Sequence, residues 1–157
     1  MPVLERDGKV YAQSGAILKL LGAELGYYPT DAEDVYHVDA LGESLRDVYL
    51  GLMKFKDLSE EEKKEAFPEF ASTTLTTNFS NWEKKIKSNS SHEHYHGDKV
   101  TLADIGLVNF YANIALRKDL KDAFDNMLEH FPTLKHYWEV RYEELKDYFE
   151  NRPECPF

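Results

Sequence analysis

The sequence predicts a mainly α-helical protein in which a short β-hairpin and one helix precede an all-helical region. Three observations support this fold class. Two short apolar runs flank Asp7-Gly8 near the start, apolar residues recur at steps of three and four after residue 31, and no strand pattern follows the hairpin. With 157 residues, the chain can bury a core as one compact unit or as one domain with a small appendage.

Composition excludes several classes of function. The formal net charge of −10, with no Lys/Arg-rich stripe, makes nucleic acid an unfavourable partner. Cys155 is the single cysteine, so an intramolecular disulfide framework is impossible and a reducing, cytoplasmic location is expected. No stretch approaches the roughly 18 apolar residues of a membrane span, and residues 1–5 lack the features of a secretion signal.

The first element is a hairpin over residues 3–12. Val3-Leu4 lies before Asp7-Gly8 and Val10-Tyr11-Ala12 follows it. Asp-Gly between two apolar runs is a strong signal for a two-residue turn, because both residues tolerate positive φ. We therefore expect strand, tight turn and strand.

The hairpin is followed by a predicted helix over residues 14–21, for which Gly22 is the expected stop. Residues 26–31 contain glycine and proline and predict a linker.

A long amphipathic helix is expected from Asp31 to about Phe55. Its predicted buried stripe consists of residues at alternating steps of three and four: Val38, Leu41, Leu45, Val48 and Leu52. The next helical region begins at a capping box formed by Ser59 and Glu62 and continues to about Lys87, with a kink or break expected at Pro68.

A flexible loop is predicted over residues 88–98. A second capping box, Thr101 with Asp104, then begins a helix that runs through Leu116 and is apolar nearly all round, so it should lie at the centre of the helical region. A short helix near 120–129 and a last one from Pro132 to Phe149 complete the expected bundle.

His92, His94 and His96 are a candidate metal site because they alternate along the chain. On a strand they would share one face and could ligate zinc. Their serine-, asparagine- and glycine-rich flanks indicate a loop instead, and no cysteine or separated fourth ligand is evident, so no metal is expected. Gly-rich phosphate loops, CxxC, GxSxG and HExxH motifs are also absent from the sequence.

Four segments, in the right order and spacing, together resemble a glutathione transferase of the sigma, mu or pi type. Residues 1–17 resemble the family's stretch from its cis-proline through the third and fourth strands to a Gln-Ser pair, and residues 37–47 resemble the first helix of its C-terminal domain. Residues 99–104 are similar to the family's buried capping box, and Arg152-Pro153 resembles its usual ending.

The resemblance implies three regions. Residues 1–26 would be a partial thioredoxin-like glutathione-binding domain, residues 27–30 a linker, and residues 31–157 the all-helical C-terminal domain. The strand-helix-strand unit expected at the start of the family's first domain is not in this sequence, nor is its tyrosine or serine that stabilises the glutathione thiolate. Tyr11 should face away from the sulfur, so no catalytic residue is assigned.

The resemblance also implies a glutathione-binding group. Pro2 would position Val3, whose backbone pairs with the cysteinyl part of glutathione, and Gln13 with Ser14 would hold the γ-glutamyl carboxylate at a helix N-terminus. Asp47 would reach across a dimer interface to the γ-glutamyl ammonium.

Ordinary structural roles remain open for these residues. A Gln-Ser pair before an apolar run is also a common helix start. Asp47 also fits an ordinary acidic helix face with Asp39 and Glu43. Such a face could hold a divalent cation at a dimer interface, but the neighbouring positive charge of Arg46 argues against it.

The pocket for the second substrate, a small electrophile, would by the resemblance involve Tyr49, Met53 and Phe157. Glu143 occupies a position where relatives commonly have a helix-breaking proline, which leaves the packing of the last helix over the pocket open. The expected function is conjugation of glutathione to electrophiles, in detoxification, by the complete protein. A non-catalytic docking subunit of a larger assembly, and a non-catalytic glutathione sensor or carrier, are the alternatives.

Overall fold

A computed structural model describes residues 2–153. The strands are β1 (Val3–Arg6) and β2 (Lys9–Ala12), which form an antiparallel pair. The helices are α1 (Ser14–Leu25), α2 (Ala32–Met53), α3 (Glu60–Phe70), α4 (Thr76–Ser88), α5 (Leu102–Phe110), α6 (Lys121–Leu128), α7 (Pro132–Glu144) and α8 (Lys146–Asn151). The predicted fold class, a mainly α-helical chain that begins with a hairpin and a helix, is confirmed.

The hairpin has the tight turn that Asp7-Gly8 predicts. Asp7 has φ 52° and Gly8 has φ 73°, so both central residues are left-handed, as a type I′ turn requires. Arg6 pairs with Lys9 across the turn, and the register continues to Val3 opposite Ala12 at the other end. Leu4 and Tyr11 are half-buried while Val3 and Val10 are exposed.

Gly22 does not end the first helix, so this prediction was wrong. Helix α1 continues to Leu25, and Gly26, with φ 82°, is the left-handed residue that ends it. Gly22 is instead the buried residue of α1, where a Cβ atom would lie 2.8 Å from Cδ1 of Leu102. The glycine is needed for close approach of α1 to α5, since a side chain would collide with Leu102.

The core of the helical region is rich in aromatic residues. Helix α2 buries Val38, Leu41, Leu45 and Val48, as its stripe predicts, while Leu52 is only half-buried. These residues pack against a cluster of large side chains that are almost completely buried: Phe79, Trp82, Phe110, Phe124 and Trp138. Helix α5 is deeply buried and contacts α1, α2 and α7, so it is central to the fold, as expected.

Pro68 does not break its helix. It lies inside α3, and the irregularity comes after it, as a π-helical segment over Ala71–Leu75 that leads directly into α4. Proline removes one backbone donor and crowds the preceding turn, and a wider turn nearby can absorb that distortion without ending the helix. A second π-helical segment, Tyr111–Ala115, extends α5.

The C-terminal helix, expected to be continuous from Pro132 to Phe149, is divided into α7 and α8. The break is at Leu145, two residues after Glu143, so the helix breaks without a proline there. At its other end α7 is capped from α4, because the backbone N–H of Thr133 donates to the Glu83 carboxylate at 2.8 Å.

The segment between α4 and α5 is a loop, as predicted, but it is well anchored. The side-chain amide of Asn89 donates to the carbonyl oxygens of His94 and Gly97, and Tyr95 is buried. Across residues 2–153, no helix is both long enough and apolar enough to cross a membrane.

Candidate functional site

The outer edge of β1 is open. In a hairpin with a two-residue turn, the pair next to the turn exchanges backbone hydrogen bonds and the following pairs alternate. Arg6 and Lys9 are that first pair, which makes Val3 and Ala12 a pair that is not hydrogen-bonded. The backbone N–H and C=O of Val3 therefore point away from β2, toward the open edge. Pro2 is exposed, but the geometry of the Met1-Pro2 bond lies outside the described residues.

The N-terminus of α1 lies at the same end of the hairpin. Val3 is opposite Ala12, and Gln13 and Ser14 follow Ala12 directly. The side chain of the N-cap residue, Gln13, makes no capping hydrogen bond to the first turn of α1, and that turn contains no acidic residue. Gln13 has φ 75°, which turns the chain sharply from β2 into the helix. Residues 13–16 are all exposed, so the first-turn N–H groups can be reached by an anion.

Charged contacts hold α1 on α2 close to this end. Lys19 Nζ lies 2.8 Å from Asp39 Oδ2, and the Tyr28 hydroxyl donates to the same carboxylate at 3.0 Å. The hydrogen bond to Asp39 raises the pKa of Lys19. Burial, and then the hydrogen bond to Asp39, raise the pKa of Tyr28. The sequence pattern placed Asp39 on a solvated face; its role as a link between helices was missed.

Asp47 is not brought to the N-terminus of α1 within one chain. It is exposed on α2, with no ion-pair or hydrogen-bond partner in residues 2–153. It lies eight residues after Asp39, the α2 residue that pairs with Lys19 of α1, and so is about 12 Å from Asp39 along the helix axis at 1.5 Å per residue. Neighbouring Arg46 pairs with Glu43 at 3.1 Å. Asp47 thus remains available to a second copy of the chain.

Of the three residues expected to line the electrophile pocket, Tyr49 and Met53 lie in the described part of the chain, and they differ in exposure. Tyr49 is half-buried and its ring contacts Phe110 at a centroid distance of 5.6 Å. Burial raises the pKa of Tyr49. Met53, one turn later on α2, is 63% exposed and can contact a ligand without rearrangement. Phe157 lies outside the described residues.

The capping box of α5 is present and is more extensive than the sequence indicates. Asp104, 2% exposed, accepts the backbone N–H of Thr101 at 2.7 Å, and the Thr101 hydroxyl accepts from Ala103. The other carboxylate oxygen of Asp104 accepts hydrogen bonds from the Tyr95 backbone N–H at 2.7 Å and from the Tyr137 hydroxyl at 2.6 Å. Burial, and then the Asp104 carboxylate, raise the pKa of Tyr137. Tyr95 and Tyr137 were missed because no local pattern relates them to Asp104.

The three alternating histidines do not converge. His96 Nε2 lies 2.7 Å from Asp34, and its ring lies 4.4 Å from that of His37, while His92 approaches the carbonyl oxygen of Ile86. Burial, and then Lys85, lower the pKa of His37. Within residues 2–153 no group of three or more His, Cys, Asp or Glu side chains is arranged to hold a metal ion.

Comparisons with known proteins agree with this fold. A family described as Glutathione S-transferase, C-terminal domain, matches residues 46–152, which is more than half of the chain. The chain is similar to a glutathione S-transferase of Plasmodium yoelii yoelii, with 26% identity over 163 residues that cover all of this chain and 70% of the relative.

Two further comparisons show how much of a relative the chain spans. It is 24% identical to glutathione S-transferase A3 of Mus musculus over 135 residues, which cover 86% of this chain and only 58% of the relative. The solved structure of NaGST-2 matches with a TM-score of 0.81 and 27% identity, over all of this chain and 76% of that one.

Proposed function

The chain belongs to the glutathione S-transferase family, and we propose that it holds the γ-glutamyl and cysteinyl parts of glutathione for conjugation to small electrophiles. The observation that carries this proposal is the proximity of an open strand edge at Val3 to the exposed N-terminus of α1 at Gln13 and Ser14. Glutathione in an extended conformation can add to the strand edge while its γ-glutamyl carboxylate meets the helix N–H groups.

The γ-glutamyl carboxylate is the part of glutathione that fits α1. The N–H groups of a first helical turn and the helix dipole attract an anion, and neither the N-cap side chain nor an acidic first-turn residue of α1 competes for those N–H groups. Ser14 adds an exposed hydroxyl at the first helical position. Pro2 and Val3 would hold the backbone of the cysteinyl residue at the edge of β1.

Asp47 completes the group only in a homodimer. Its exposure and its lack of a partner in residues 2–153 suit a carboxylate that meets the γ-glutamyl ammonium bound to a second copy. Each complete binding group would then contain Pro2, Val3, Gln13 and Ser14 from one copy and Asp47 from the other.

Thiol activation is expected from outside this chain. Tyr11, on β2, is half-buried with the Arg6 guanidinium 5.9 Å from its ring centre, which suits packing more than thiolate stabilisation. One wall of the electrophile pocket would be formed by Met53, Tyr49 and Phe157. We place the protein in the cytoplasm, where glutathione is abundant and a role in detoxification is natural.

Calorimetry with glutathione tests the binding proposal. The chain should bind glutathione but not cysteinylglycine, which lacks the γ-glutamyl anchor, and should be retained on immobilised glutathione. A conjugation assay with an aryl halide should give no turnover above the uncatalysed reaction. Equal binding of the two peptides would contradict the proposed anchor, and turnover like that of an intact transferase would contradict the assignment of thiol activation elsewhere.

A non-catalytic docking subunit is the second candidate. The observation that favours it is the open edge of β1 with exposed apolar side chains beside it, Val3 at 56% and Val10 at 66%. An open edge of this kind is a template for another strand. Absence of glutathione binding together with a stable complex in which β1 amides become protected from hydrogen exchange would favour this function over conjugation.

A further inference from the structure

An ion pair joins the β-hairpin to α1 at the end opposite the proposed glutathione group. The two terminal nitrogens of the Arg6 guanidinium donate to the two carboxylate oxygens of Glu24 at 2.6 and 2.8 Å. Two parallel hydrogen bonds of this kind fix the orientation of the two groups as well as their distance. The hydrogen bond from Arg6 also lowers the pKa of Glu24, so this carboxylate is charged at neutral pH.

This ion pair differs from most others in residues 2–153 in what it connects. Most of the others join residues two to four positions apart, so they support a single helix or turn. Arg6 and Glu24 are 18 positions apart and belong to β1 and α1. An exposed ion pair adds little to the free energy of folding, but a pair between two elements also determines how those elements are oriented.

The hairpin is attached to α1 at both ends. At one end β2 continues through Gln13 into α1, and at the other end Arg6, next to the hairpin turn, pairs with Glu24, one residue before the end of α1. Helix α1 therefore runs back along the hairpin toward its turn. Between the two attachments lie the half-buried side chains of Leu4 and Tyr11, and the Arg6 guanidinium is 5.9 Å from the centre of the Tyr11 ring.

Helix α1 is fixed in the helical region, so a loose hairpin would tilt about Gln13. The ion pair of Lys19 with Asp39 and the close contact of Gly22 with Leu102 hold α1 in place. Val3 lies roughly 5 Å from Ala12 across the hairpin, so a tilt of about 20° would move Val3 by about 1.5–2 Å relative to α1. That displacement exceeds the roughly 0.5 Å range of donor–acceptor distances in good hydrogen bonds.

We propose that Arg6 and Glu24 are positioning residues for glutathione binding, because their ion pair sets the angle between the strand edge at Val3 and the N-terminus of α1. This inference rests on the proposed function, in which glutathione contacts the hairpin and α1 at once. Neither residue touches glutathione in this arrangement. Arg6 is about 10 Å from Val3 along β1, and Glu24 is about 15 Å from Ser14 along α1.

Calorimetry with glutathione on variants of the full chain measures the effect on binding. Arg6→Gln removes the paired donors, so binding should weaken about threefold, which is within the range of a well-formed exposed ion pair. Glu24→Gln should weaken binding to the same extent. The double variant Arg6→Gln/Glu24→Gln should bind no more weakly than either single variant, because the two residues act through one contact. The exchanged pair, Arg6→Glu/Glu24→Arg, should restore most of the lost affinity.

Arg117→Gln is the matched control. Arg117 also makes two hydrogen bonds to one carboxylate, that of Asp119, and its side chain is exposed, but both residues lie in the segment between α5 and α6. This variant loses the same charge and the same kind of contact, and should bind glutathione as the unmodified chain does.

The orientation of the hairpin is measured without glutathione. Residual dipolar couplings of the backbone N–H groups, recorded on a weakly aligned sample, should fit one alignment tensor for the hairpin and the helices of the unmodified chain. In Arg6→Gln the couplings of β1 and β2 should depart from that tensor while those of α1 and α2 still fit it. The exchanged pair should return the hairpin couplings to the common fit.

The two measurements separate this inference from the proposed function. If the hairpin couplings of Arg6→Gln still fit the common tensor, the positioning role is overturned whether or not glutathione binds. It is also overturned if the hairpin reorients but glutathione affinity stays the same, or if Arg117→Gln weakens binding as much as Arg6→Gln. Failure of the unmodified chain to bind glutathione would instead contradict the proposed function, and with it the positioning role that depends on it.

Discussion

The N-termini of α1 and α5 are built from similar elements and have opposite properties. At α5, Asp104 is buried and accepts hydrogen bonds from Thr101, Tyr95 and Tyr137. At α1, Gln13 and Ser14 are exposed, and the side chain of the N-cap residue makes no capping hydrogen bond. The N-terminus of α5 is therefore capped by a carboxylate of the chain itself, that of Asp104, whereas the N-terminus of α1 is exposed to anions from solution.

The difference shows how a helix N-terminus becomes structural or functional. A buried terminus must satisfy its donors from within the chain, because unpaired backbone groups are costly away from water. An exposed terminus is solvated in the free protein, so it can remain uncapped at little cost and exchange water for a carboxylate. The four predictions below change the N-terminus of α1, α5 or α7, or the contact between α1 and α5.

The largest effect is expected from Asp104→Ala. Several buried donors would lose their acceptor at once, so the free energy of unfolding should fall by about 3–5 kcal/mol. Urea denaturation followed by circular dichroism measures it. Asp122→Ala, in the exposed first turn of α6, is the matched control and should cost less than about 1 kcal/mol. Equal losses would mean that burial of the Asp104 network contributes nothing.

The next effect concerns α7, whose N-terminus is capped by Glu83. Burial acts to raise the pKa of Glu83, but hydrogen bonds from Lys87 and from the backbone of Thr133 and Leu134 outweigh it and hold the pKa below its ordinary value of 4.5. A lowered pKa in the folded state means that the stabilisation is present above pH 4.5 and is lost as the pH falls through the folded-state pKa.

Glu83→Gln should therefore lower stability by about 1.5–2 kcal/mol at pH 7, and the gap to the unmodified chain should narrow at pH 3. Denaturation at both pH values tests this, with exposed Glu129→Gln as the control, for which no such gap is expected. A gap of constant size at both pH values would show that the Glu83 charge is not what caps α7.

Ser14→Glu gives α1 the anion that α5 already has. Glutathione binding should weaken at least about tenfold, or 1.4 kcal/mol, because the new carboxylate repels the γ-glutamyl carboxylate and competes for the same N–H groups. Stability should rise by about 0.3–1 kcal/mol for the same reason. Ala23→Glu adds an equal charge at the other end of α1 and should leave calorimetric binding intact, so equal weakening by both variants would refute the anchor.

The smallest effect is expected where the two helices touch. Gly22→Ala gains helix propensity of about 1 kcal/mol, but its Cβ would lie 2.8 Å from Leu102, so a net loss of about 0.5–1 kcal/mol is expected. Gly15→Ala, with no atom within 4 Å of the added Cβ, should be neutral or stabilising. Thermal denaturation of both variants measures these changes in stability. A more stable Gly22→Ala variant would mean that α1 and α5 are not closely packed at Gly22.

Local patterns predicted the parts of the fold that neighbouring residues control. Asp7-Gly8 specified the hairpin turn because both residues accept positive φ, and Ser59 with Glu62 and Thr101 with Asp104 specified two helix starts through contacts three residues apart. The spacing of Val38, Leu41, Leu45 and Val48 likewise identified the buried face of α2.

For the candidate site, the sequence supplied the residue types, and the register of the hairpin supplied their arrangement. Val3 is opposite Ala12, which brings the open strand edge next to Gln13 and Ser14. Asp47 carries no such signal, because its expected partner belongs to a second copy of the chain.

The sequence by itself thus determined the class of fold, the turn and the capping boxes, since those depend on residues within one turn of helix or hairpin. Only the tertiary structure decided that α1 continues past Gly22, because Leu102 packs against it, and that Tyr137, 33 residues from Asp104, completes the buried end of α5. It also decided that α1 stays open at its N-terminus while α5 is closed. Burial determines that difference, and burial depends on distant residues.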